Sequence, residues 1–480
     1  MKIRILLIGC ISILLYACTG LPATPTTGPS ADMPNPASAY CVEQGFIPEI
    51  RTAADGSQGG VCIFPDGSEC DEWAFYRGEC LPGEPAVRTP AEATKPVASS
   101  TPTSQMLPFD SAWVIPQAVS YPAGVMVDPR NETGEITNGI LFYLADGLSL
   151  GELHAPNASK FFAAGYYQGS LDFPLVFNSL DLESRVQYIS INRGSTPSDP
   201  GGQVTNLVAV ADQAILTGLV GVPGEPLLFY TDFAPIDANL RTRFTLGNLE
   251  DIANAIPILE MESSESRYWE PVAIQMDNNS ASGLWFTRLP WGIGGVCAFI
   301  PTEGLYYFNL ESSTVHEVIP AEHQFTSLSQ DQAFAAYTRL ENGKPELFLL
   351  NLAGGEPLAF PSLPESERGS GDALISPSNR YIAWREAQGC QQEPDFHQRV
   401  RVATIDGQML GEFTDIRLFK TAQIENGNSI DLVGWLDEET ILIEVTTLEK
   451  PHNSILVKIN VLMGESSYFA SGFFAGWFYQ

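Results

Sequence analysis

Short apolar segments separated by turn residues recur from about residue 109 to residue 480. The segments are rich in β-branched and aromatic residues, which is typical of strands. Helical periodicity is scarce, and the best candidate helix, at residues 249–256, is stopped by Pro257. This pattern constrains the fold more than any other feature, because it predicts a mainly β domain over residues 109–480.

The apolar segments fall into groups of four, and the clearest groups begin near residues 283, 325, 373 and 431. Units of four short strands at a spacing of roughly 40–60 residues are typical of the blades of a β-propeller. We therefore expect a β-propeller of six or seven blades.

The C-terminal segment indicates how the ring of blades closes. Residues 474–477, Phe-Ala-Gly-Trp, repeat the pattern of residues 432–435, Leu-Val-Gly-Trp, which open the last full unit. A ring that did not close would expose the edge of a strand. We therefore expect the C-terminal segment to form the innermost strand of the first blade.

One turn carries a family resemblance. Residues 375–384, Ile-Ser-Pro-Ser-Asn-Arg-Tyr-Ile-Ala-Trp, resemble the Ser-Pro-Asp-Gly-x-x-Ile-Ala motif of TolB-type propellers, with Ser378 and Asn379 in place of Asp and Gly. Residues 328–332 form a looser copy. The resemblance implies a TolB-like propeller for residues 109–480.

The N-terminus is typical of an exported chain. Residues 1–17 have a positive start and then an apolar run of about eleven residues, which is shorter than the roughly 20 that a spanning helix needs. Residues 15–18, Leu-Tyr-Ala-Cys, resemble the lipobox of bacterial lipoproteins. The resemblance implies a signal peptide at 1–17 and a lipid on Cys18. The alternative is an ordinary signal peptide, with Cys18 incidental.

This resemblance implies a location outside the cytoplasm. We expect the chain to be exported and lipid-anchored to the cell membrane, facing outward, or periplasmic if there is an outer membrane. Residues 18–33 and 81–108 are rich in Pro with Thr, Ser, Gly or Ala, which indicates a tether and a linker. They delimit a small domain at residues 34–80.

Cysteine number agrees with export. Cys10 leaves with the signal peptide, and besides Cys18 the remaining cysteines are Cys41, Cys62, Cys70, Cys80, Cys297 and Cys390. An even number outside the cytoplasm predicts disulfides. No C-x-x-C spacing occurs, so zinc binding is not expected. Within the propeller we expect Cys297 to pair with Cys390.

The domain at residues 34–80 is predicted to be a disulfide-rich α+β module. We expect a helix at 35–44, strands at 48–51 and 60–64, and a helical turn at 71–77.

A two-residue Asp-Gly turn at residues 66–67 would place Cys62 opposite Asp71, on the face away from Cys70. Cys62 and Cys70 should then not bond to each other. Two connectivities remain, and we favour Cys41–Cys62 with Cys70–Cys80.

Residues 35–45 and 60–80 resemble a small bacterial cysteine-rich domain family that carries a haemolysin label and has no established function. A pore-former must satisfy its backbone in lipid with a span or a barrel, and a short cross-linked module offers neither. The aromatic residues Trp73, Phe75 and Tyr76 either form the core of this module or bind a partner.

Charge excludes several classes of partner. Lys and Arg number 25 against 57 Asp and Glu, a formal net charge of −32. Nucleic acids and anionic lipid surfaces favour basic proteins, so neither is expected as a direct partner. The dispersed acidic residues favour a soluble, monomeric exported domain.

One motif resembles a catalytic one. Residues 147–151, Gly-Leu-Ser-Leu-Gly, fit the G-x-S-x-G elbow of serine hydrolases, with His154 nearby. That elbow requires a helix after the serine, whereas Ala-Pro-Asn follows here. TolB-type propellers accompany serine peptidases, but we expect no hydrolase domain after this propeller. The motif therefore predicts a hairpin.

The five histidines have no zinc-ligand spacing; they are His154, His316, His323, His397 and His452. We predict no catalytic residue, metal site or cofactor. Two functions remain open. The favoured one is a non-enzymatic, lipid-anchored envelope protein that binds a protein, peptide or glycan through its propeller and small module. The alternative is a propeller-type hydrolase or lyase, which a pocket of His, Asp and Glu at the channel mouth would favour.

Overall fold

A computed structural model describes the following residues: 36–52, 58–65, 68–72, 75, 107–129, 138–194, 202–210, 214–236, 239–262, 267–290, 297–391, 393, 395–425, 427–447 and 453–480. The chain divides into two compact units, Met1–Ser100 and Thr101–Gln480. Within the described ranges, no helix has both the length and the apolar character that a membrane span requires.

The first unit contains a small α+β module. Its elements are α1 (Pro36–Glu43), β1 (Ile47–Thr52), β2 (Gln58–Ile63) and β3 (Glu69–Asp71), and the strands form an antiparallel sheet in the order β1-β2-β3. The predicted helix and strands are confirmed. A disulfide between Cys41 and Cys62 joins α1 to β2, as expected.

The hairpin between β2 and β3 differs from the expected one. Cys62 lies directly opposite Cys70, so the argument that placed them on different faces was wrong. Pro65 has no N–H with which to close a two-residue turn, and Phe64 instead donates its N–H to the carbonyl of Ser68 at 2.9 Å. The register therefore moves by one residue. Cys70 is itself disulfide-bonded, and its expected partner Cys80 lies outside the described residues.

The second unit is a β-propeller of seven blades. It opens with β4 (Leu107–Pro108) and a 3-10 turn (Ser111–Trp113). Blade 1 contains β5 (Pro122–Asp128), β6 (Gly139–Leu144) and β7 (Ser149–His154); blade 2 contains β8 (Ala158–Ala163), β9 (Leu175–Leu180), β10 (Gln187–Asn192) and β11 (Val204–Ala209); blade 3 contains β12 (Ile215–Gly221), β13 (Leu227–Ile236), β14 (Asn239–Asn248) and β15 (Pro257–Glu262). A second 3-10 turn (Ile252–Asn254) precedes β15.

The other blades repeat this order from the innermost strand outwards. Blade 4 contains β16 (Arg267–Asp277), β17 (Ser280–Pro290), β18 (Glu303–Asn309) and β19 (Thr314–Ile319); blade 5 contains β20 (Gln324–Leu328), β21 (Phe334–Glu341), β22 (Lys344–Asn351) and β23 (Leu358–Phe360); blade 6 contains β24 (Ser370–Ile375), β25 (Tyr381–Gln388), β26 (His397–Thr404) and β27 (Met409–Thr414). After α2 (Asp415–Ala422), blade 7 contains β28 (Ser429–Trp435), β29 (Thr440–Thr446), β30 (Ser454–Asn460) and β31 (Glu465–Ser471).

The ring closes as the sequence predicts. The last strand, β32 (Phe473–Tyr479), pairs antiparallel with β5 and becomes the innermost strand of blade 1. Seven buried hydrophobic clusters lie between successive pairs of blades, including one between blade 7 and blade 1. Every described blade therefore buries both faces against its neighbours, and these clusters are the main favourable term of the fold.

A segment that we call the lower strap, residues 107–121, leads into blade 1. Its strand β4 pairs with β19 at the outer edge of blade 4. The segment then meets turns of blades 4 and 5, because the side chain of Gln117 bonds to Met276 and its backbone N–H donates to the carbonyl of Asp331. The innermost strands all end on the same side of the ring, and we call this side the lower face. The lower strap crosses this face.

The predicted disulfide of the propeller is confirmed at the opposite end of the ring. Cys297 and Cys390 are bonded to each other. Cys297 follows β17 of blade 4, and Cys390 follows β25 of blade 6, so the bridge joins two blades that are not neighbours. The loop that begins at Cys297 also places the ring of Phe299 5.5 Å from the guanidinium of Arg385 in blade 6.

Candidate binding site

An open depression of about 600 Å³ lies on the lower face, where the lower strap meets the end of the closing strand β32. Its lining residues come from three parts of the propeller and are Val119, Ser120, Tyr121, Tyr166, Tyr167, Gln168 and Gln480. Tyr121 and Tyr166 are 44% and 40% exposed. We call this surface the tyrosine depression.

Backbone contacts hold the Tyr166 side of the depression in place. Tyr166 forms a parallel β-bridge with Tyr479 of β32, and Tyr167 donates its N–H to the Tyr479 carbonyl at 2.6 Å. The ring of Tyr166 lies on Gly224, where an added Cβ would come within 2.1 Å of it. Gly224 also has a φ of +79°, a conformation that favours glycine. A glycine at this position therefore makes room for the exposed ring.

The Tyr121 side is held by the lower strap. The backbone N–H and carbonyl of Ser120 both bond to the side chain of Gln330, at 3.0 and 2.6 Å. The Tyr121 hydroxyl donates to Glu438 at 3.4 Å. Burial raises the pKa of the neighbouring Tyr479 to about 12, so this tyrosine is neutral at physiological pH. The depression thus combines two fixed aromatic rings with amide and hydroxyl groups.

The TolB-type motif has a structural role beside the depression. Ser376 and the backbone N–H of Ser378 both donate to the Glu438 carboxylate, at 2.8 and 3.1 Å. Asn379 donates to Asp331 at 2.6 Å, so the turn ties blade 6 to blades 5 and 7. Asn379 has a φ of +56°, which asparagine tolerates better than other residues and which explains the glycine of the family motif.

Three carboxylates on the innermost strands form ion pairs. Glu270 of β16 binds Lys160 of β8 at 3.0 Å, and Asp372 and Asp431 bind the buried Arg385. Burial lowers the pKa of Arg385, but the two carboxylates raise it further, so the guanidinium keeps its charge. The seven innermost strands contain no histidine. The pocket of His, Asp and Glu that would favour a hydrolase is therefore not formed by these strands.

The serine-elbow motif forms a hairpin, as predicted. Ser149 is the first residue of β7, opposite Tyr143 in β6, and His154 ends the same strand opposite Gly139. Five steps along a strand separate the two residues by about 16 Å, which is too far for a hydrogen bond between their side chains. They do not form a catalytic pair.

The described histidines are dispersed. His316 is buried against Trp113, with ring centroids 4.0 Å apart, and bonds to Thr314 at 2.6 Å. His323 stacks on Tyr337, and the half-exposed His397 bonds to Asp415. His452 lies outside the described residues. No group of three or more potential metal ligands occurs in the part of the chain that the structure describes.

In the small module, Phe75 belongs to the core. Its side chain is only 6% exposed and packs within 5.5 Å of the rings of Tyr40, Phe46 and Phe64. Of the two roles considered for Phe75, the core role is therefore confirmed. The binding role is wrong, because a partner could not reach its ring. Trp73, Tyr76 and the lipidation candidate Cys18 lie outside the described residues.

Sequence reasoning did not find the tyrosine depression. Tyr121 and Tyr166 lie in unrelated connections, and neither belongs to a motif. Only the closure of the ring by β32 brings them together, so no spacing in the sequence indicates the site.

The family of the small module is shown by two comparisons. Residues 32–79 match the family described as "Domain of unknown function (DUF333)". The uncharacterized protein YdbJ of Escherichia coli (strain K12) is 30% identical over 79 residues, which are 15% of this chain and 90% of YdbJ. The chain belongs to the DUF333 family. The uncharacterized protein YoaF of the same strain is 35% identical over 86 residues, or 18% of this chain and 99% of YoaF. The aligned part of this chain therefore corresponds to nearly the whole length of these relatives.

Two solved structures are similar to the propeller. The β-propeller domain of the Trilobed protease from Pyrococcus furiosus has a TM-score of 0.42 and 11% identity, covering 74% of this chain and 97% of that domain. TolB from Acinetobacter baumannii has a TM-score of 0.34 and 11% identity, covering 64% of this chain and 79% of TolB. The propeller assignment rests on the strand pairing of the seven blades.

Proposed function

We propose that this protein is a non-enzymatic, lipid-anchored protein of the cell envelope that binds a protein, peptide or glycan partner through its propeller. The observation that carries the proposal is the tyrosine depression, an open surface that presents two exposed tyrosine rings. Tyrosine is enriched where proteins bind partners, because its ring offers apolar area and its hydroxyl offers a hydrogen bond.

The way the depression is built supports a binding role. The bridge to β32 and the bonds of the lower strap hold its backbone in place, and the ring of Tyr166 packs on Gly224. A partner therefore does not have to order a flexible surface, and less free energy is lost on association. The depression is also open, which suits an extended or bulky ligand better than an enclosed small molecule.

Capture from an envelope extract tests the proposal. The full chain with Cys18→Ala is immobilised beside a Tyr121→Ala/Tyr166→Ala double variant. We expect the parent to retain a defined protein, peptide or glycan, and the double variant to retain about tenfold less of it. Tyr468→Ala is the matched control, because that tyrosine is 51% exposed on the outer strand of blade 7. Equal capture by all three chains would contradict the proposal.

The anchor is tested separately by labelling with palmitate during growth. The lipobox-like residues 15–18 lead us to expect label in the parent chain and none in Cys18→Ala. The Cys10→Ala variant is the control, since Cys10 lies within the proposed signal peptide, and it should still carry label. Label that persists in Cys18→Ala would rule out this anchor.

A further inference from the structure

We infer that the tyrosine depression binds a positively charged, Lys- or Arg-rich segment of a partner protein. This inference rests on the proposed function and deepens it, because it names the chemistry of the partner. It follows from the charges around the depression and from the chemistry of its rings.

The turns of the lower face are strongly acidic. The connections between each innermost strand and the next strand carry six carboxylates, on Asp172, Glu225, Asp331, Asp437, Glu438 and Glu439. Among the described residues, none of the six forms an ion pair. The basic residue of these connections is Arg380, whose guanidinium stacks on Tyr381 at 5.1 Å and bonds to its hydroxyl.

Five basic side chains of the propeller are already paired with carboxylates elsewhere in the blades, in Lys160–Glu270, Arg243–Asp232, Arg288–Glu303, Arg385–Asp372 and Arg401–Glu386. These cations do not offset the six carboxylates of the lower turns, which carry part of the net charge of −32. Such a set of carboxylates attracts cations over distances of about a Debye length, roughly 8–10 Å in physiological salt.

Two of these acidic residues adjoin residues of the tyrosine depression. Glu438 accepts the hydrogen bond of the Tyr121 hydroxyl. Glu225 follows Gly224 in the chain, and the ring of Tyr166 lies on Gly224. A cation above the Tyr121 ring would interact with the face of the ring and with the Glu438 carboxylate, and a cation above the Tyr166 ring would lie beside an acidic turn. Guanidinium and ammonium groups satisfy both requirements.

This combination distinguishes among partners. Nucleic acids and anionic membranes are repelled by the carboxylates. A neutral glycan would stack on the rings but gain nothing from the charges. A basic protein segment gains from both, so we commit to it as the occupant.

Fluorescence anisotropy with a labelled tetra-arginine peptide tests the inference on the full chain carrying Cys18→Ala. Tetra-glutamate and a neutral Gly-Ser peptide of equal length are the comparison probes. We expect tetra-arginine to bind at low salt at least tenfold more tightly than either, and to weaken as salt is added. Tyr121→Ala/Tyr166→Ala should weaken it about tenfold, and Glu225→Gln/Asp437→Asn should reduce both its affinity and its salt dependence.

Matched controls separate these effects from misfolding. Tyr468→Ala changes an exposed tyrosine outside the depression, and Glu183→Gln changes an exposed carboxylate beyond the lower face. Both should bind tetra-arginine like the parent, and circular dichroism should be the same for all variants.

Equal binding of the three peptides, or full binding by the double tyrosine variant, would overturn the inference. The proposed function fails differently, because it requires a partner captured from the envelope. If a partner is captured but tetra-arginine does not displace it, the proposed function stands and the inference is wrong. Displacement of the partner by tetra-arginine but not by tetra-glutamate would support both.

Discussion

Arg385 shows how a single charge is held inside the propeller. Its side chain is buried and donates to Asp372, to the amide oxygen of Gln398 and to the carbonyl of Ile430. These bonds reach from blade 6 to the innermost strand of blade 7. A buried charge is tolerated only when its bonds are satisfied in this way, so Arg385 links two blades as well as balancing two carboxylates.

Replacing Arg385 measures how much its bonds between blades 6 and 7 contribute to stability. We expect Arg385→Met to lower the free energy of unfolding by about 2–3 kcal/mol, below the range for a fully buried pair, because the side chains of Asp372 and Asp431 are 33% and 46% exposed. Urea denaturation followed by circular dichroism is the measurement. The exposed Arg380→Met is the control and should change stability by less than about 0.5 kcal/mol. Equal stability of the two variants would show that the buried bonds contribute little.

At the scale of the element, β32 is the strand on which ring closure depends. It is the last strand in the chain, yet it pairs with β5, the first full strand of the propeller. Its Phe478 is fully buried and packs against Phe142 and Phe173, with ring centroids 5.4 and 5.9 Å away. The strand therefore supplies both backbone pairing and core packing between blades 1 and 2.

Removing residues 471–480 should strongly lower the melting temperature, because it exposes the edge of β5 and empties part of the core. Phe478→Ala isolates the core contribution, which we expect to be about 3–5 kcal/mol by chemical denaturation. Tyr468→Ala, on the exposed outer strand β31, should cost less than about 0.5 kcal/mol. An unchanged melting transition in the shortened chain would disprove closure by β32.

At the scale of the whole molecule, the propeller is a closed set of repeating contacts. The seven interblade clusters pass around the ring, while the Cys297–Cys390 bridge and the lower strap each connect blades that are not neighbours. The turns that join the innermost strands to the next strands carry six carboxylates, and the ion pairs such as Arg385–Asp372 lie within the blades.

The buried tyrosines predict how this ring responds to alkali. Burial raises the pKa values of Tyr268, Tyr306, Tyr307 and Tyr479 to about 12, whereas tyrosine in an unfolded chain has a pKa of about 10. The unfolded state therefore loses these protons first as the pH rises. The stability that depends on them is complete below about pH 10 and is lost between about pH 10 and 12.

We expect tyrosinate absorbance from these residues to appear together with the loss of the circular dichroism signal, in one step within that range. Complete ionisation of all tyrosines near pH 10 without loss of structure would contradict the burial that the fold shows.

Much of the architecture follows from local patterns. The strands, the blade units and the closure of the ring by the last strand can all be predicted from local sequence patterns. Buried and exposed side chains alternate along a strand, and turn residues mark where each strand ends. The pair Cys297–Cys390 follows from cysteine number once the small module and the propeller are separated, whereas Cys41–Cys62 is only one of the pairings that the four cysteines of the small module allow. These features required no knowledge of long-range contacts.

Tertiary structure decided the rest. The missing N–H of Pro65 shifted the hairpin register and placed Cys62 opposite Cys70, and packing against three other rings placed Phe75 in the core. The number of blades is seven because seven sheets pack face to face around one ring. The tyrosine depression exists because ring closure brings distant turns together. By itself the sequence determined which segments become strands and how the ring ends; only the packing of those strands decided which side chains a partner can reach.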